Sequence, residues 1–245
     1  MTVRAVLLDL FGTLIAYGDM AAGTRVAWEG VYAVIVELGA RSRRPVPEYA
    51  AFVPPWEANM RVLAARQDGV AAGPGGATPF VSKLLRFFRS LGLPEDPDAA
   101  LRAAEACLAG WDAYLELPDD TLPALEALRG RYRLALVSNF DHPPYARRLL
   151  DRLGLSARLD CITISGELWI DKPDPRIFHA ALAALGAPAA AAVHVGDELR
   201  SDIAGAQAAG VRPILIDRSG RHGDYAAGPR IISLAELAGV LEGLG

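Results

Sequence analysis

The second half of the chain alternates short apolar segments with longer amphipathic ones. After Pro118, apolar runs typical of buried strands cover residues 132–138, 159–164, 191–196, 213–216 and 230–232. Between them, apolar side chains at three- and four-residue spacing predict helices over residues 143–153, 174–185, 199–209 and 234–242. Another helix is expected to run through Leu128, with Asp120 or Thr121 as its N-terminal cap. A further buried strand is predicted within residues 3–9. Repeated strand–helix units of this kind predict an α/β fold with a Rossmann-like, doubly wound, mostly parallel sheet.

Residues 17–117 have a different pattern, with helical periodicity throughout. Helices are predicted over residues 24–39, 54–67, 79–91 and 98–115, with a flexible Gly-Pro-Gly-Gly break at residues 73–76. The simplest organisation is a Rossmann-like core of residues 1–16 and 118–245, into which a helical domain of residues 17–117 is inserted after the first strand.

Composition and charge exclude several classes of protein. The 245 residues carry a formal net charge of −4, whereas a sequence-independent nucleic-acid binder needs a basic face. Cys107 and Cys161 lie far apart and have no metal-ligand spacing, which favours a reducing, cytoplasmic compartment over a disulfide framework or a zinc site. The longest apolar stretch, residues 177–195, is interrupted by two histidines, a glycine and a proline. We therefore expect no nucleic-acid partner and no membrane span.

Polar residues are predicted to meet at one edge of the sheet. In chain order they are Asp9, Ser138 with Asn139, Lys172, and Asp197 with Asp202. In an open parallel sheet, functional side chains collect at the carboxyl ends of the strands. Singly, each of these residues is explained as well by a turn or a helix cap. Lys172 is conspicuous because the chain has only one other lysine, Lys83. His194 is expected to be a strand side chain packed behind this site.

Together, and in this order, these residues resemble the four motifs of the haloacid dehalogenase (HAD) superfamily of hydrolases. The first motif is Asp9-Leu10-Phe11-Gly12-Thr13, the second includes Ser138, the third Lys172, and the fourth Asp197 with Asp202. The helical insertion is similar in position to the cap of subfamily I. The resemblance extends over the full predicted core and implies a hydrolase that acts on a small molecule, with a phosphorylated metabolite favoured.

The resemblance also implies a set of roles. The candidate catalytic residues are Asp9, Thr13, Ser138, Asn139, Lys172 and Asp197. Asp9 would be the nucleophile and would form an aspartyl-phosphate. Thr13 and Ser138, with turn amides near Gly12, would hold the phosphoryl oxygens. Lys172 would neutralise charge and orient Asp9.

Magnesium is the expected cofactor. Carboxylates gathered in one pocket repel one another and raise each other's pKa unless a cation intervenes. A set of oxygen ligands favours Mg²⁺. The resemblance implies that Asp9, the backbone carbonyl of Phe11 and Asp197 bind the ion, and Asp202 is included as a fourth metal-site residue.

Phe11 departs from the pattern of the phosphatase branches, which have an aspartate at this position. That aspartate protonates the departing alkoxide and later activates water. General acid–base catalysis contributes roughly 10²–10⁴-fold to a rate, so its loss should slow the hydrolysis of alkyl phosphate monoesters most. Acyl and aryl phosphates, which have better leaving groups, should be affected less.

Three other interpretations remain open beside a Mg²⁺-dependent phosphatase-type hydrolase. In 2-haloacid dehalogenases an aromatic residue at the Phe11 position is common, the nucleophile attacks carbon and no metal is required. Their fourth motif, however, resembles Ser-Asn rather than Gly196-Asp197. A non-catalytic HAD-fold binding module is a second alternative, and the intact Asp9 argues against it. Phosphonatase-like chemistry would need a lysine in the cap, where Lys83 is expected to be a surface helix residue.

Overall fold

A computed structural model of the chain describes residues 2–62 and 77–244, which form two compact units. Unit 1 comprises Met1–Tyr17, Glu116–Phe140 and Ala146–Gly245, and unit 2 comprises Gly18–Leu115 and Asp141–Tyr145. Unit 2 thus includes five residues, 141–145, that lie between two segments of unit 1. The assignment of residues 1–16 and 118–245 as a catalytic core, and of residues 17–117 as a cap domain, stays a prediction.

Unit 1 contains a six-stranded sheet in the order β5-β4-β1-β6-β7-β8, and every neighbouring pair is parallel. The strands are β1 (Ala5–Leu8), β4 (Arg133–Ser138), β5 (Cys161–Ile164), β6 (Ala192–Gly196), β7 (Arg212–Ile216) and β8 (Arg230–Ile231). The α/β prediction is therefore confirmed. Because β1 lies between β4 and β6, the later strands are added on both sides of β1, with β4 and β5 on one side and β6, β7 and β8 on the other. Loops after β1, β4 and β6 consequently lie next to one another, which is where parallel sheets place their sites.

Helices cover the sheet of unit 1, and each of them overlaps a predicted helix except the one at residues 165–168. They are α5 (Thr121–Leu128), α6 (Pro143–Arg152), α7 (Ser165–Leu168), α8 (Pro175–Leu185), α9 (Gly205–Ala208) and α10 (Leu237–Gly243). The side chains of Leu7 and Val137 belong to the same buried cluster as Ile177 and Phe178 of α8. Parallel strands buried on both faces are expected to be apolar at every position, and β1 is fully buried throughout.

The predicted helix over residues 199–209 differs from the structure. Leu199–Ala204 forms a turn of π-helix, and only Gly205–Ala208 is α-helical. The wider turn presents Asp202 to Gly196, where a Cβ atom would collide with the Asp202 carboxylate. Such π-turns are frequent at functional sites.

Unit 2 is helical, as predicted. Its helices are α1 (Met20–Ser42), α2 (Tyr49–Val62), α3 (Pro79–Ser90) and α4 (Pro97–Asp112). Asp19, Thr78 and Asp96 each accept a hydrogen bond from a first-turn amide at the start of α1, α3 and α4. Helix α2 begins before the predicted residue 54, while residues 63–67 and the predicted break at 73–76 lie outside the described residues. Two short strands, β2 (Ala16–Tyr17) and β3 (Leu115–Glu116), pair with each other.

Lys83 is buried, so the expectation of a surface helix residue is wrong. Its Nζ atom lies 2.5 Å from Oδ2 of Asp141. In the same loop, the His142 ring contacts Thr78 Oγ1 at 2.8 Å and Glu105 Oε1 at 3.2 Å. These polar contacts explain why residues 141–145 belong to unit 2 although they directly follow the loop after β4.

No helix among residues 2–62 and 77–244 combines the length and the apolar composition that crossing a membrane requires.

Asp120 is the N-terminal cap residue of α5, one of the two positions predicted, but its side chain forms no capping hydrogen bond. Its carboxylate instead accepts hydrogen bonds from Arg218 at 3.0 Å, from Ser233 Oγ at 2.6 Å and from the Leu234 amide at 2.8 Å. Arg218 also donates to the carbonyl of Thr13, at 2.9 Å from Nη2. An acidic side chain at a helix start is thus used to connect three loops of unit 1.

We predict that Asp120→Ala lowers the free energy of unfolding by about 2–3 kcal/mol, because it leaves the partly buried Arg218 guanidinium without its carboxylate. Denaturant unfolding would measure the change. Asp119→Ala is the matched control, since this exposed neighbour is expected to change stability by less than about 0.5 kcal/mol. Equal effects of the two substitutions would show that the hydrogen bonds of Asp120 contribute nothing to the free energy of unfolding.

Candidate active site

The loop after β1 is tightly folded and begins with Asp9. The Asp9 amide donates to the carbonyl of Val195 at 2.9 Å, which fixes the residue against β6. The Gly12 amide donates to Ile15 O at 2.7 Å and is therefore already used within the turn. Gly12 has a φ of +86°, and a Cβ atom there would collide with the Asp197 carboxylate. Glycine is required at this position by both conformation and space.

Lys172 is the centre of the site. Its Nζ atom lies 2.5 Å from Oδ1 of Asp9 and 2.7 Å from Oδ1 of Asp202, and all three side chains are buried. Burial alone would lower the pKa of Lys172, but the carboxylates of Asp9 and Asp202 raise it above its ordinary value. The structure therefore keeps a charged ammonium group between these two carboxylates.

Asn139 holds the backbone of Lys172. Its Oδ1 accepts a hydrogen bond from the Lys172 amide at 2.7 Å, and its Nδ2 donates to the Lys172 carbonyl at 2.9 Å. The loop after β4 is thereby fastened to the loop that carries the lysine. These contacts make Asn139 a positioning residue for Lys172.

His194 contacts this site directly, which the sequence expectation of a residue packed behind it did not include. Its Nε2 atom lies 3.0 Å from Oδ1 of Asp202, and the imidazole is fully buried against the edge of Phe178. Oδ2 of Asp202 accepts from the Glu198 amide at 3.0 Å. Both oxygens of Asp202 are therefore hydrogen-bonded. One sequence signal pointed to this contact: alternate residues of a strand share a face, so His194 lies on the same side of β6 as Gly196.

Asp9, Asp197 and Asp202 form a cluster in which one ligand oxygen of each lies within 4.8 Å of the others. Burial, followed by the charge of Asp202, raises the pKa of Asp197 to about 6. Burial also raises the pKa of Asp9 to about 7, although Lys172 opposes the shift. For Asp202, Lys172 and His194 overcome the effect of burial and lower the pKa.

These carboxylates fit a divalent cation. Within the described residues, the cations at ion-pair distance from Asp9 and Asp197 are Lys172 and the exposed Arg221, whose Nη2 is 3.7 Å from Asp197. Three carboxylates thus share one buried ammonium group and one exposed guanidinium group at ion-pair distance within the described residues. Carboxylate oxygens in such a pocket are the ligands that Mg²⁺ prefers.

Two hydroxyl groups beside the cluster are buried without a partner. Within residues 2–62 and 77–244, neither Thr13 Oγ1 nor Ser138 Oγ forms a hydrogen bond. A buried polar group left unsatisfied costs about 1–3 kcal/mol, so hydroxyls without a partner in the loop after β1 and at the end of β4 favour a ligand whose oxygen atoms accept hydrogen bonds from them.

Phe11 occupies a stack of aromatic rings within unit 1. Its ring is nearly parallel to those of Tyr17, at 13° and a centroid distance of 5.8 Å, and Phe140, at 21° and 5.4 Å. The side chain that replaces the expected aspartate is therefore fixed by packing between two other rings.

Comparison with known proteins shows the family to which the chain belongs. The haloacid dehalogenase-like hydrolase family matches the chain over residues 3–210. The chain belongs to this family.

The family members similar to this chain include both phosphatases and a dehalogenase. A phosphoserine phosphatase of Thermus thermophilus is 32% identical over 252 residues, which covers 96% of this chain and 98% of that protein. The structure of a HAD phosphatase from Thermococcus onnurineus is 26% identical with a TM-score of 0.65, covering 98% of this chain and 99% of that one. A 2-haloacid dehalogenase from Pseudomonas syringae is also 26% identical, with a TM-score of 0.66 and complete coverage of both chains.

We predict that Mg²⁺ raises the melting temperature, and by more at about pH 8 than at about pH 5. In the lower range Asp9 and Asp197 retain protons, because their pKa values are about 7 and about 6. Without metal, the native state holds more protons at these groups than the unfolded chain between about pH 4 and 7. Their contribution to the free energy of unfolding therefore falls as the pH rises through that window.

Thermal unfolding with and without Mg²⁺ would measure this shift. Asp197→Asn should remove most of the stabilisation, whereas the exposed control Asp119→Asn should retain it. A shift that is the same at both pH values, or that survives in Asp197→Asn, would contradict a metal site at this cluster.

Proposed function

We propose that the chain is a Mg²⁺-dependent, phosphatase-type HAD hydrolase in which Asp9 attacks the phosphorus atom of a small phosphorylated metabolite. The observation that carries the proposal is the second carboxylate, Asp197, one oxygen of which lies within 4.8 Å of an oxygen of Asp9. A nucleophile that attacks carbon and expels a halide has no use for such a cluster, whereas a phosphoryl group needs positive charge close to its oxygens.

The hydrogen bonds of Asp9 indicate which oxygen attacks. Lys172 contacts Oδ1, which leaves Oδ2 as the attacking atom. A bond forms between Oδ2 and phosphorus, the bond from phosphorus to the leaving oxygen breaks, and its electron pair leaves with that oxygen. The hydroxyls of Thr13 and Ser138 donate to the phosphoryl oxygens. A water oxygen then bonds to phosphorus, the bond from phosphorus to Oδ2 breaks, Asp9 is regenerated as a carboxylate, and both protons of the water leave with the phosphate product.

The residues that would hold Mg²⁺ are Asp9, Asp197 and the backbone carbonyl of Phe11. When bound, the ion supplies positive charge that offsets the carboxylates and the phosphoryl oxygens. Asp202 is better placed as a positioning residue, since its oxygens already accept from Lys172, His194 and the Glu198 amide.

The leaving group must depart without a proton from the residue at position 11. The phenyl ring of Phe11 has no acidic group, and its stack with Tyr17 and Phe140 holds it in place. Leaving groups that are stable as anions, such as carboxylates and phenolates, are least affected by this loss. The proposed substrates are therefore acyl or aryl phosphates.

A 2-haloacid dehalogenase is the second candidate. It is favoured by the aromatic residue at position 11 and by similarity over the full chain to the structure of the Pseudomonas syringae 2-haloacid dehalogenase. The Asp197 carboxylate in the cluster favours the phosphatase instead.

We predict that the purified protein hydrolyses p-nitrophenyl phosphate and acetyl phosphate with Mg²⁺, and that EDTA abolishes the activity. Hydrolysis of O-phosphoserine, an alkyl monoester, should be slower by roughly 10²-fold or more. Asp9→Asn should remove turnover of all three, while Asp119→Asn should not. Metal-independent release of halide from 2-chloropropionate would identify a dehalogenase, and turnover of none of these compounds would favour a non-catalytic module.

We predict that Phe11→Asp raises the hydrolysis of O-phosphoserine by about 10²–10⁴-fold, with a smaller change for p-nitrophenyl phosphate. Phe11→Asn is the matched control, because asparagine has the shape of aspartate but carries no carboxylate. Both variants lose two ring contacts, worth about 1–3 kcal/mol together, so folding is checked first by the melting temperature. Equal rates for the two variants would show that proton transfer at position 11 does not limit the reaction.

A further inference from the structure

A cavity lies in unit 1, at the edge of the sheet opposite the candidate active site. Its volume is about 610 Å³, and its walls are formed around the amino ends of β1, β4 and β5. Arg4 in this wall precedes β1, while Asp9 follows it. About 16 Å of extended chain separates these two residues. The cavity is therefore distinct from the carboxylate cluster.

Arginine side chains dominate the walls. The five are Arg4, Arg129, Arg131, Arg133 and Arg158. Glu126 is shared by two of them, at 3.6 Å from Arg129 and 2.7 Å from Arg158. Glu242 lies 2.8 Å from Arg131. Asp160 lies 3.5 Å from Arg133. Three carboxylates thus face five guanidinium groups. This local positive excess is opposite in sign to the chain's net charge of −4.

Arg4 carries one of the two excess charges, the other falls on Arg129 and Arg158, which share Glu126, and Arg133 is weakly paired. Arg4 forms no ion pair within residues 2–62 and 77–244, where the structure describes the chain. Arg133 has only the 3.5 Å contact with Asp160, whose other oxygen accepts from the Leu134 amide at 2.8 Å. Both arginines are exposed, so their guanidinium groups are accessible to a ligand.

The backbone under these arginines is already ordered. The Arg4 amide donates to Ala191 O at 2.8 Å, and the Arg133 amide donates to Arg4 O at 2.9 Å. Arg158 Nη1 donates to Gly154 O at 2.6 Å, and the Arg131 guanidinium lies 5.5 Å from the centre of the Tyr132 ring. A ligand would have to order only side chains, which keeps the entropic cost of binding small.

We propose that this cavity binds a small molecule that carries two phosphoryl groups. Guanidinium groups match the oxygens of a phosphoryl group with paired hydrogen bonds, which a compact ammonium group does not. An excess of two positive charges suits two anionic groups, and the volume is within the range of small-molecule sites. The ligand would bind independently of the substrate of Asp9.

Methylenediphosphonate is a suitable probe, because a phosphatase cannot hydrolyse its P–C–P linkage. Calorimetric titration of the full chain in EDTA should show binding at millimolar probe or below. The probe should bind at least about tenfold more tightly than inorganic phosphate, since two groups are held instead of one. Arg4→Gln combined with Arg133→Gln should weaken binding by about tenfold or more.

Two controls separate this cavity from the catalytic pocket and from general charge effects. Arg89→Gln combined with Arg102→Gln removes the same charge from exposed positions of unit 2 and should leave the dissociation constant within about twofold. Ser138→Ala alters the catalytic pocket and should also leave it unchanged. The proposal is overturned if the wild type binds no probe, if Arg4 and Arg133 can be replaced without effect, or if Ser138→Ala abolishes binding. It is equally overturned if phosphate binds as tightly as the probe, or if a single-stranded oligonucleotide binds more tightly.

Discussion

The ammonium group of Lys172, buried between Asp9 and Asp202, is the interaction on which the rest of the site depends. Two buried carboxylates so close together could not both remain charged without it. A lysine suits this place because its charge is compact and can contact one oxygen of each carboxylate, whereas the planar fork of arginine favours two oxygens of a single group. Asn139 and His194 serve this contact, since one holds the backbone of the lysine and the other holds Asp202.

The sheet could be predicted from the sequence because its strands are buried on both faces. A run such as residues 192–196 is apolar at almost every position, and this pattern needs no knowledge of its partners. The partners of polar side chains could not be predicted, because they come from distant parts of the chain. Lys83 and Asp141 are 58 residues apart, and Arg218 contacts Thr13 across 205 residues. No motif marks either pair, and a local pattern cannot distinguish a paired lysine from a solvated one.

The contacts of Asp120 and Asp202 also could not be predicted from the sequence, although both residues are aspartates. Each aspartate stands at or near the start of a helical segment, where a local interpretation assigns it to capping. Asp120 instead accepts hydrogen bonds from Arg218 and Ser233, and Asp202 accepts hydrogen bonds from Lys172 and His194. The resemblance to a known family placed Asp202 in the site but not its contacts. Local chemistry predicts that such a carboxylate will accept hydrogen bonds, and the tertiary structure determines which residues donate them.

The two ends of the central strands have opposite electrostatic character. At the carboxyl ends, three aspartates form a cluster, and burial raises the pKa of Asp9 to about 7 although Lys172 opposes the shift. At the amino ends, arginines exceed their carboxylate partners. In the proposed phosphatase, Phe11 would leave both the charge at the carboxyl ends and its own backbone carbonyl unchanged. Its ring would remove only a proton donor, so the electrostatic requirements of phosphoryl transfer would be kept while the choice of leaving group would be narrowed. Specificity would then arise from the pKa of the departing group.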